Sequence, residues 1–387
     1  MTETSTTDDE VTVSDDAPTI LTDGSDDVDV SGGRRWKLER RLEVTAWQEV
    51  GSVLAGVVVA VLLCSALIAL AGSPVLASYR ALLKGAFGTE NAIVETLVQA
   101  TPLIFTGLAA AFAFRAKIWN IGGEGQLWAG AIGCYFVYDL LGSAPRAVAL
   151  VAMMIGGMVF GAAWAGIAVL LRNRFGVSEV ISTVMLNFII INITSYLLSD
   201  LWRDPASFYY QSALMTETGT LPGIWGTSRL HLGFVLALVM AALVWFVLER
   251  TSFGYEIRAV GVNSRVASYG GINGARILAF VMLASGAIAG LAGASELSGI
   301  HQRLQLGLSA SLGFTGIIIA LVARLRPGPI IIAAIAAGAL TNGATTMQLT
   351  TGVPAALADV IKGMALVCVL IAAVAVNYRL RRVDHGE

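Results

Sequence analysis

The chain has 387 residues, of which 56% are hydrophobic and only 13% charged, with a mean hydropathy of +0.73. That is more apolar surface than a soluble core of this length could cover, which argues against a soluble globular domain and calls for lipid. The net charge of -2 averages two unlike parts, because residues 1–33 hold ten acidic residues and no basic one, leaving +8 on the remainder.

In chain order, residues 1–33 read as a disordered acidic cytoplasmic tail, since Ser, Thr and Asp with few large apolar residues cannot offset the entropy of ordering. Residues 34–50 form a basic juxtamembrane segment. Residues 51–378 form the transmembrane domain, and residues 379–387 a cytoplasmic tail. The first apolar stretch starts too far into the chain, and lacks the cleavage site, for a removed signal peptide.

Ten stretches are of spanning length: Val53–Leu70, Ile93–Phe114, Leu127–Leu141, Ala147–Leu171, Val180–Leu198, Leu232–Leu248, Ile277–Ser295, Leu308–Ala323, Ile330–Met347 and Val360–Val376. Barrel-type alternation is absent, so these are helices, and the fold class is an all-α polytopic membrane protein of about ten spans. Eighteen of the 25 basic residues fall on one side, which places both termini in the cytoplasm of a multi-pass cell membrane protein. Cys64, Cys134 and Cys368 lie in apolar segments and read as small buried hydrophobes.

Ionisable and amide residues inside spans are costly and mark a pathway or a packing cluster. Glu95 and Gln99 share a helical face just before Pro102. Asn120-Ile121-Gly122-Gly123-Glu124-Gly125-Gln126 places three glycines and a carboxylate where a helix can start late with its amides pointing inward. Asn187 is the favoured amide of the fifth span. The candidate solute pathway is therefore Glu95, Gln99, Asn120, Glu124, Gln126 and Asn187. Asp359 and Lys362 are spaced to pair along the last span.

The loop over residues 250–276 is long and polar for an internal connection. Asn263 is placed to cap a helix over Ser264–Tyr269, Gly270-Gly271 to close it, and Tyr255–Val260 is a second short helix. Such a rigid element suits docking to a soluble motor, with Ile257, Val260, Val266 and Tyr269 filling a groove and Arg258 and Arg265 pairing at its rim. Bulky replacements at Gly261 and Ala267 are expected to abolish transport without unfolding the chain. The external loop Ser199–His231 carries Trp202, Tyr209, Tyr210 and Trp225, either as interfacial aromatics or as a docking surface.

No lysine precedes Ser or Thr, so no phosphate-binding GK[ST] loop exists, and the three histidines are scattered. The chain reads as a transport subunit without catalytic residues, metal or nucleic-acid partner.

FGYEIRAVGVNSRVASYGGIN resembles the G-x-x-x-R-A-x-G-x-N-x-x-A-A-x-Y-x-G-I element of permeases in the sugar, nucleoside and branched-chain amino acid branch of ABC importers. The matching positions are Gly254, Arg258, Ala259, Gly261, Asn263, Ala267, Tyr269, Gly271 and Ile272, with Ser268 where a second alanine is usual. VETLVQATPLIFTGLAAAFAFRAKIWNIGGEGQ, EVISTVMLN and GFTGIIIALVARLRPGP resemble runs of the nucleoside-type (simple sugar transport system) subgroup, in the same order. The resemblance implies a type II ABC importer permease-like bundle for a nucleoside or related small polar solute. It also implies two ATP-binding subunits carrying ATP-Mg, a second permease, an extracytoplasmic solute-binding lipoprotein, and coupling through Gly254, Tyr255, Ile257, Arg258, Gly261, Asn263, Arg265, Ala267, Tyr269 and Gly271. A simple sugar permease is the first alternative and an ion-coupled secondary transporter the second.

Overall fold

Apolar runs in lipid must satisfy their backbone internally, and they do so as helices. The computed structural model describes residues 35–41, 45–226 and 228–383, so the acidic segment 1–33 lies outside the described residues. Two units are present: residues 1–44 with 377–387, and Thr45–Val376.

The described part of the first unit is a two-stranded antiparallel ribbon, β1 (Arg35–Arg40) with β2 (Tyr378–Val383). It runs from Arg35 opposite Val383 to Arg40 opposite Tyr378, and Arg41 N–H donates to the Asn377 carbonyl at 2.7 Å. Residues 35–40 of the expected juxtamembrane segment and 379–383 of the expected C-terminal tail are thus paired strands, whereas residues 46–50 already belong to α1. Sequence reading missed this because it is a contact between chain ends.

The second unit contains α1 (Ala46–Leu70), α2 (Val75–Phe87), α3 (Glu90–Arg115), α4 (Gly123–Leu141), α5 (Arg146–Phe175), α6 (Glu179–Ser199), α7 (Gly233–Arg250), α8 (Ser252–Val262) and α9 (Ser264–Tyr269). It continues with α10 (Gly274–Glu296), a π-helical turn (Leu297–His301), α11 (Leu312–Val322), α12 (Pro327–Thr351) and α13 (Ala355–Ala375). Among the described residues, eight helices are long and apolar enough to cross a membrane. These match eight of the ten expected spans; the other two are α4 and α11. At 11 residues α11 rises only ~16 Å, about half a hydrocarbon core. The expected span Leu308–Ala323 is therefore a short, partly buried helix entered through a loop.

Burial separates the centre from the rim. The most apolar window of α3 is 89% buried, against 17% for α13 and 22% for α1, whose outer faces are left for lipid. Around α3 pack α10, α11 and α12, and the small-residue faces of α4, α5 and α10 pack on one another. A Cβ on Gly130 of α4 would overlap the Gly290 carbonyl of α10, and one on Gly293 would overlap the Leu127 carbonyl. Such approach lets dispersion and backbone contacts replace the hydrophobic effect that lipid removes. Gly290→Val is expected to lower the melting temperature in detergent and the yield of monodisperse protein, by ~1–3 kcal/mol or more, since rigid backbone must move. A melting temperature equal to wild type would refute that packing.

Candidate functional site

Three places hold the polar residues picked out from sequence. The first is a cleft of 650 Å³ between α2, α3 and α12, lined by Lys84, Asn91, Glu95, Thr346, Thr350 and Asn342 among others. Thr89 caps α3 by accepting from the Ala92 N–H at 3.1 Å, which ends the α2–α3 connection and sets Asn91 and Glu95 on the first turns. Asn342 holds the walls together, its Nδ2 donating to Gly85 O at 2.9 Å, Ala92 O at 3.0 Å and Thr96 Oγ1 at 3.3 Å. Gln99 donates to Glu95 Oε1 at 3.4 Å, as the shared face requires. Glu95 also pairs with Arg229 of the 199–231 loop at 3.3 Å. At 59% exposure for Arg229 this pair is worth little in stability, well under ~1 kcal/mol, and is easily exchanged for another partner. Sequence reading missed α2, Asn342, Thr346 and Arg229. The run TNGATTMQLTT in an otherwise apolar helix was the available signal.

The second place is a buried junction that gathers the other four candidates. Asn120, Glu124, Gln126 and Asn187 are at most 4% exposed. Asn120 and Gln126 exchange amide hydrogen bonds at 3.0 and 2.9 Å, and Asn120 also donates to Ser285 Oγ at 2.9 Å. Ser285 in turn donates to Ala109 O at 2.7 Å, so α4 starts well inside the bundle, level with the C-terminal half of α3. Asn187 of α6 accepts from Gly125 N–H at 2.8 Å and donates to Ile121 O at 3.0 Å. Glu124 accepts from Gly313 N–H at 2.8 Å, so a carboxylate on the first turn of α4 also caps the first turn of α11. Two helix N-termini thus offset the cost of burying it. The expected late helix start is present. These four residues are spent on one another, on the Ser285 hydroxyl and on backbone, and form a structural knot rather than an open surface; only Glu95 lines the cleft, with Gln99 bonded to it. Non-glycine residues in the left-handed region bracket α11, Ala310 and Ser311 before it and Arg324 and Leu325 after it.

The third place is the α8–α9 element. Thr251 caps α8 by accepting from Gly254 N–H at 3.2 Å, and Asn263 caps α9 by accepting from Arg265 and Val266 N–H at 3.0 and 3.1 Å. Of the expected closing pair, only Gly271 is left-handed, at φ +80°, while Gly270 sits at φ -81°. The expected groove-filling set divides. Ile257 is 0% and Val260 5% exposed, both inside this chain's own core, whereas Val266 is 63% and Tyr269 92% exposed. Arg258 does not wait for an acidic rim; its guanidinium donates to the Leu248 carbonyl at the end of α7. Arg265 is exposed and Tyr255 joins Val266 and Tyr269 on the open side. A Cβ on Gly261 would lie 2.6 Å from Arg115 O, so α8 presses on the end of α3. Bulky residues at Gly261 and at buried Ala267 would therefore disturb packing as well as docking, which corrects the expectation that such variants stay intact. Asp359 and Lys362 pair at 2.6 Å as expected.

Just before α7, His231 is buried against the π turn and donates nothing through Nδ1, which accepts from Gly233 N–H at 3.1 Å. Burial, with Arg229 nearby, lowers its pKa to about 4. Unfolded His titrates near ~6.5 and the buried ring near about 4, so the stability is whole above the upper value and lost as pH falls toward the lower. Acidification across that window is expected to cost up to ~3 kcal/mol through this group. Melting curves at pH 7 and 4.5 should converge less for wild type than for His231→Gln, and equal slopes would contradict the assignment.

A sequence profile of the branched-chain amino acid transport system permease component family matches residues 92–370. The guanosine ABC transporter permease protein NupP of Bacillus subtilis is 36% identical over 317 residues, 80% of this chain and 88% of that protein. The glucose ABC transporter permease protein TsgB13 of Haloferax volcanii is 31% identical, over 89% of this chain and 93% of that one. The nucleoside ABC transporter permease protein NupB of Lactococcus lactis is 31% identical, over 73% and 80%. With its polytopic helical bundle and this match over most of its length, the chain belongs to the family of branched-chain amino acid transport system permease components.

Proposed function

We propose that the chain is the membrane-spanning permease subunit of an ATP-driven importer for a nucleoside or related small polar solute. It would pair with a second permease, two ATP-binding subunits and an extracytoplasmic solute-binding lipoprotein. The observation that carries the solute class is the lining of the α2–α3–α12 cleft: hydroxyls and amides with one Lys and one Glu suit a neutral, hydroxyl-rich solute better than an ion. Similarity to permeases of guanosine, nucleoside and glucose transporters supports the same class. The contact of Gly261 with Arg115 supports a route for the motor's push, because α3 runs from there ~39 Å to Glu90 beside the cleft.

The test is reconstitution with the cognate ATP-binding and solute-binding partners. Uptake of labelled guanosine should require ATP and be competed by nucleosides but not leucine; competition by glucose alone would assign a sugar permease. Uptake that persists without ATP and collapses with an uncoupler would make the chain an ion-coupled carrier instead. The double variant Thr346→Val with Thr350→Val keeps volume but removes two hydroxyls, and is expected to raise KM about 3- to 10-fold with kcat little changed. An unchanged KM would remove the cleft from the solute path.

A further inference from the structure

We infer that Glu95 is the specificity-determining residue of the α2–α3–α12 cleft, and that its Oε2 accepts a proton from a ring hydroxyl of a sugar. This rests on the reading of that cleft as the solute path, and adds the chemistry by which the cleft selects.

Most side-chain protons along the α12 wall are already engaged. The Asn342 amide protons go to Gly85 O, Ala92 O and Thr96 Oγ1, so only its Oδ1 is left for a solute. The Thr346 hydroxyl donates to Asn342 O at 3.2 Å, that of Thr350 to Thr346 O at 2.8 Å, and that of Thr351 to Met347 O at 2.8 Å. A hydroxyl has one proton and two lone pairs, so these threonines accept rather than donate. Facing them, Glu95 is acceptor-only when ionised. Gln99 Nε2 at 3.4 Å and Arg229 Nη1 at 3.3 Å both reach its Oε1, and among the described residues nothing donates to Oε2. The side chain is 27% exposed and lines the cleft. A solute seated here must therefore bring protons. Arg229 already balances the carboxylate charge, so a neutral donor fits Oε2 better than a second cation. A sugar hydroxyl supplies that donor and makes the stronger, charge-assisted kind of bond. Its oxygen can accept in turn from Lys84 or Asn91 at the α2–α3 end of the cleft. Ribose and hexose rings both carry this group.

The full chain purified in detergent provides the assay, with guanosine, 2′,3′-dideoxyguanosine, inosine and glucose titrated by saturation-transfer NMR. Wild type should bind guanosine about tenfold or more tightly than its dideoxy analogue, and Glu95→Gln should bring the two within about twofold. Thr346→Val with Thr350→Val should narrow the same ratio, and melting temperatures check that each variant is folded. Glu217→Gln removes a carboxylate that does not line the cleft and should leave the ratio unchanged. Binding of glucose but not guanosine, lost in Glu95→Gln, would assign the hydroxyl to a hexose and uphold the role of Glu95. Equal weakening of guanosine and its dideoxy analogue by Glu95→Gln would overturn the proposal and leave Glu95 a strut between α3 and Arg229. Loss instead of a preference for guanosine over inosine would overturn it in favour of recognition of the base. Binding of neither guanosine nor glucose to wild type would overturn it as well. ATP-driven guanosine uptake decides the underlying reading separately: uptake alongside any of these failures would leave the permease standing, whereas hydroxyl-dependent binding without ATP-driven uptake would sink the permease reading.

Discussion

Tyr269→Ala combined with Val266→Asp is expected to cut ATP-driven uptake more than tenfold while leaving the melting temperature within a degree or two of wild type. Both residues face away from the bundle, at 92% and 63% exposure, so no internal packing is lost with them. Placing a charge and removing an aromatic at the centre of a docked patch typically costs ~2 kcal/mol or more, because hot spots are desolvated anchors. Exposed surface changes otherwise fall within ~0.5 kcal/mol of neutral. The measurement is uptake in proteoliposomes, together with co-purification of the ATP-binding subunits. Retained uptake and retained co-purification would remove α9 from the docking surface. Ile257→Ala should behave oppositely, with a fall in thermal stability of ~2–5 kcal/mol, because that side chain is wholly buried in this chain's own core.

Glu124→Ala is the second large effect. It leaves the Gly313 N–H without its carboxylate acceptor in a buried site, which costs ~1–3 kcal/mol or more for a charge-assisted bond, and opens a gap between α4 and α11. Uptake should fall at least tenfold and the melting temperature should drop. Glu124→Gln keeps an acceptor oxygen of the same length and should recover most of the stability. If alanine and glutamine were equally damaging, the carboxylate charge itself would be the working feature and the junction would not be a structural clamp. Solute KM separates the two roles further, since a clamp changes folded amount and kcat, whereas a contact residue changes KM.

Much of this architecture was legible in the chain. Long apolar runs became helices because lipid leaves the backbone no other partner, and eight spans follow from length and hydropathy alone. The cap at Asn263 and the αL glycine Gly271 were readable because they are local contacts set by side-chain reach and φ. The pairing of Glu95 with Gln99, and of Asp359 with Lys362, follows from helical spacing for the same reason.

Long-range partners were not legible. Glu124 meets Gly313, Asn187 meets Gly125, Asn120 meets Ser285 and β1 meets β2, and nothing in the spacing of such residues records a contact made only when distant helices pack. Burial reversed part of the α8–α9 reading for that reason: Ile257 and Tyr269 look alike as apolar residues of a short helix, but α8 lies on the end of α3. Sequence alone determined that the chain crosses the membrane as helices and where the 250–276 loop breaks and restarts, because those outcomes depend on solvent and on neighbours within a few residues. Only tertiary structure decided that four intramembrane polar residues form a closed knot while Glu95 opens on a cleft. Which hydrogen bonds a buried polar group finds is set by the elements that pack beside it.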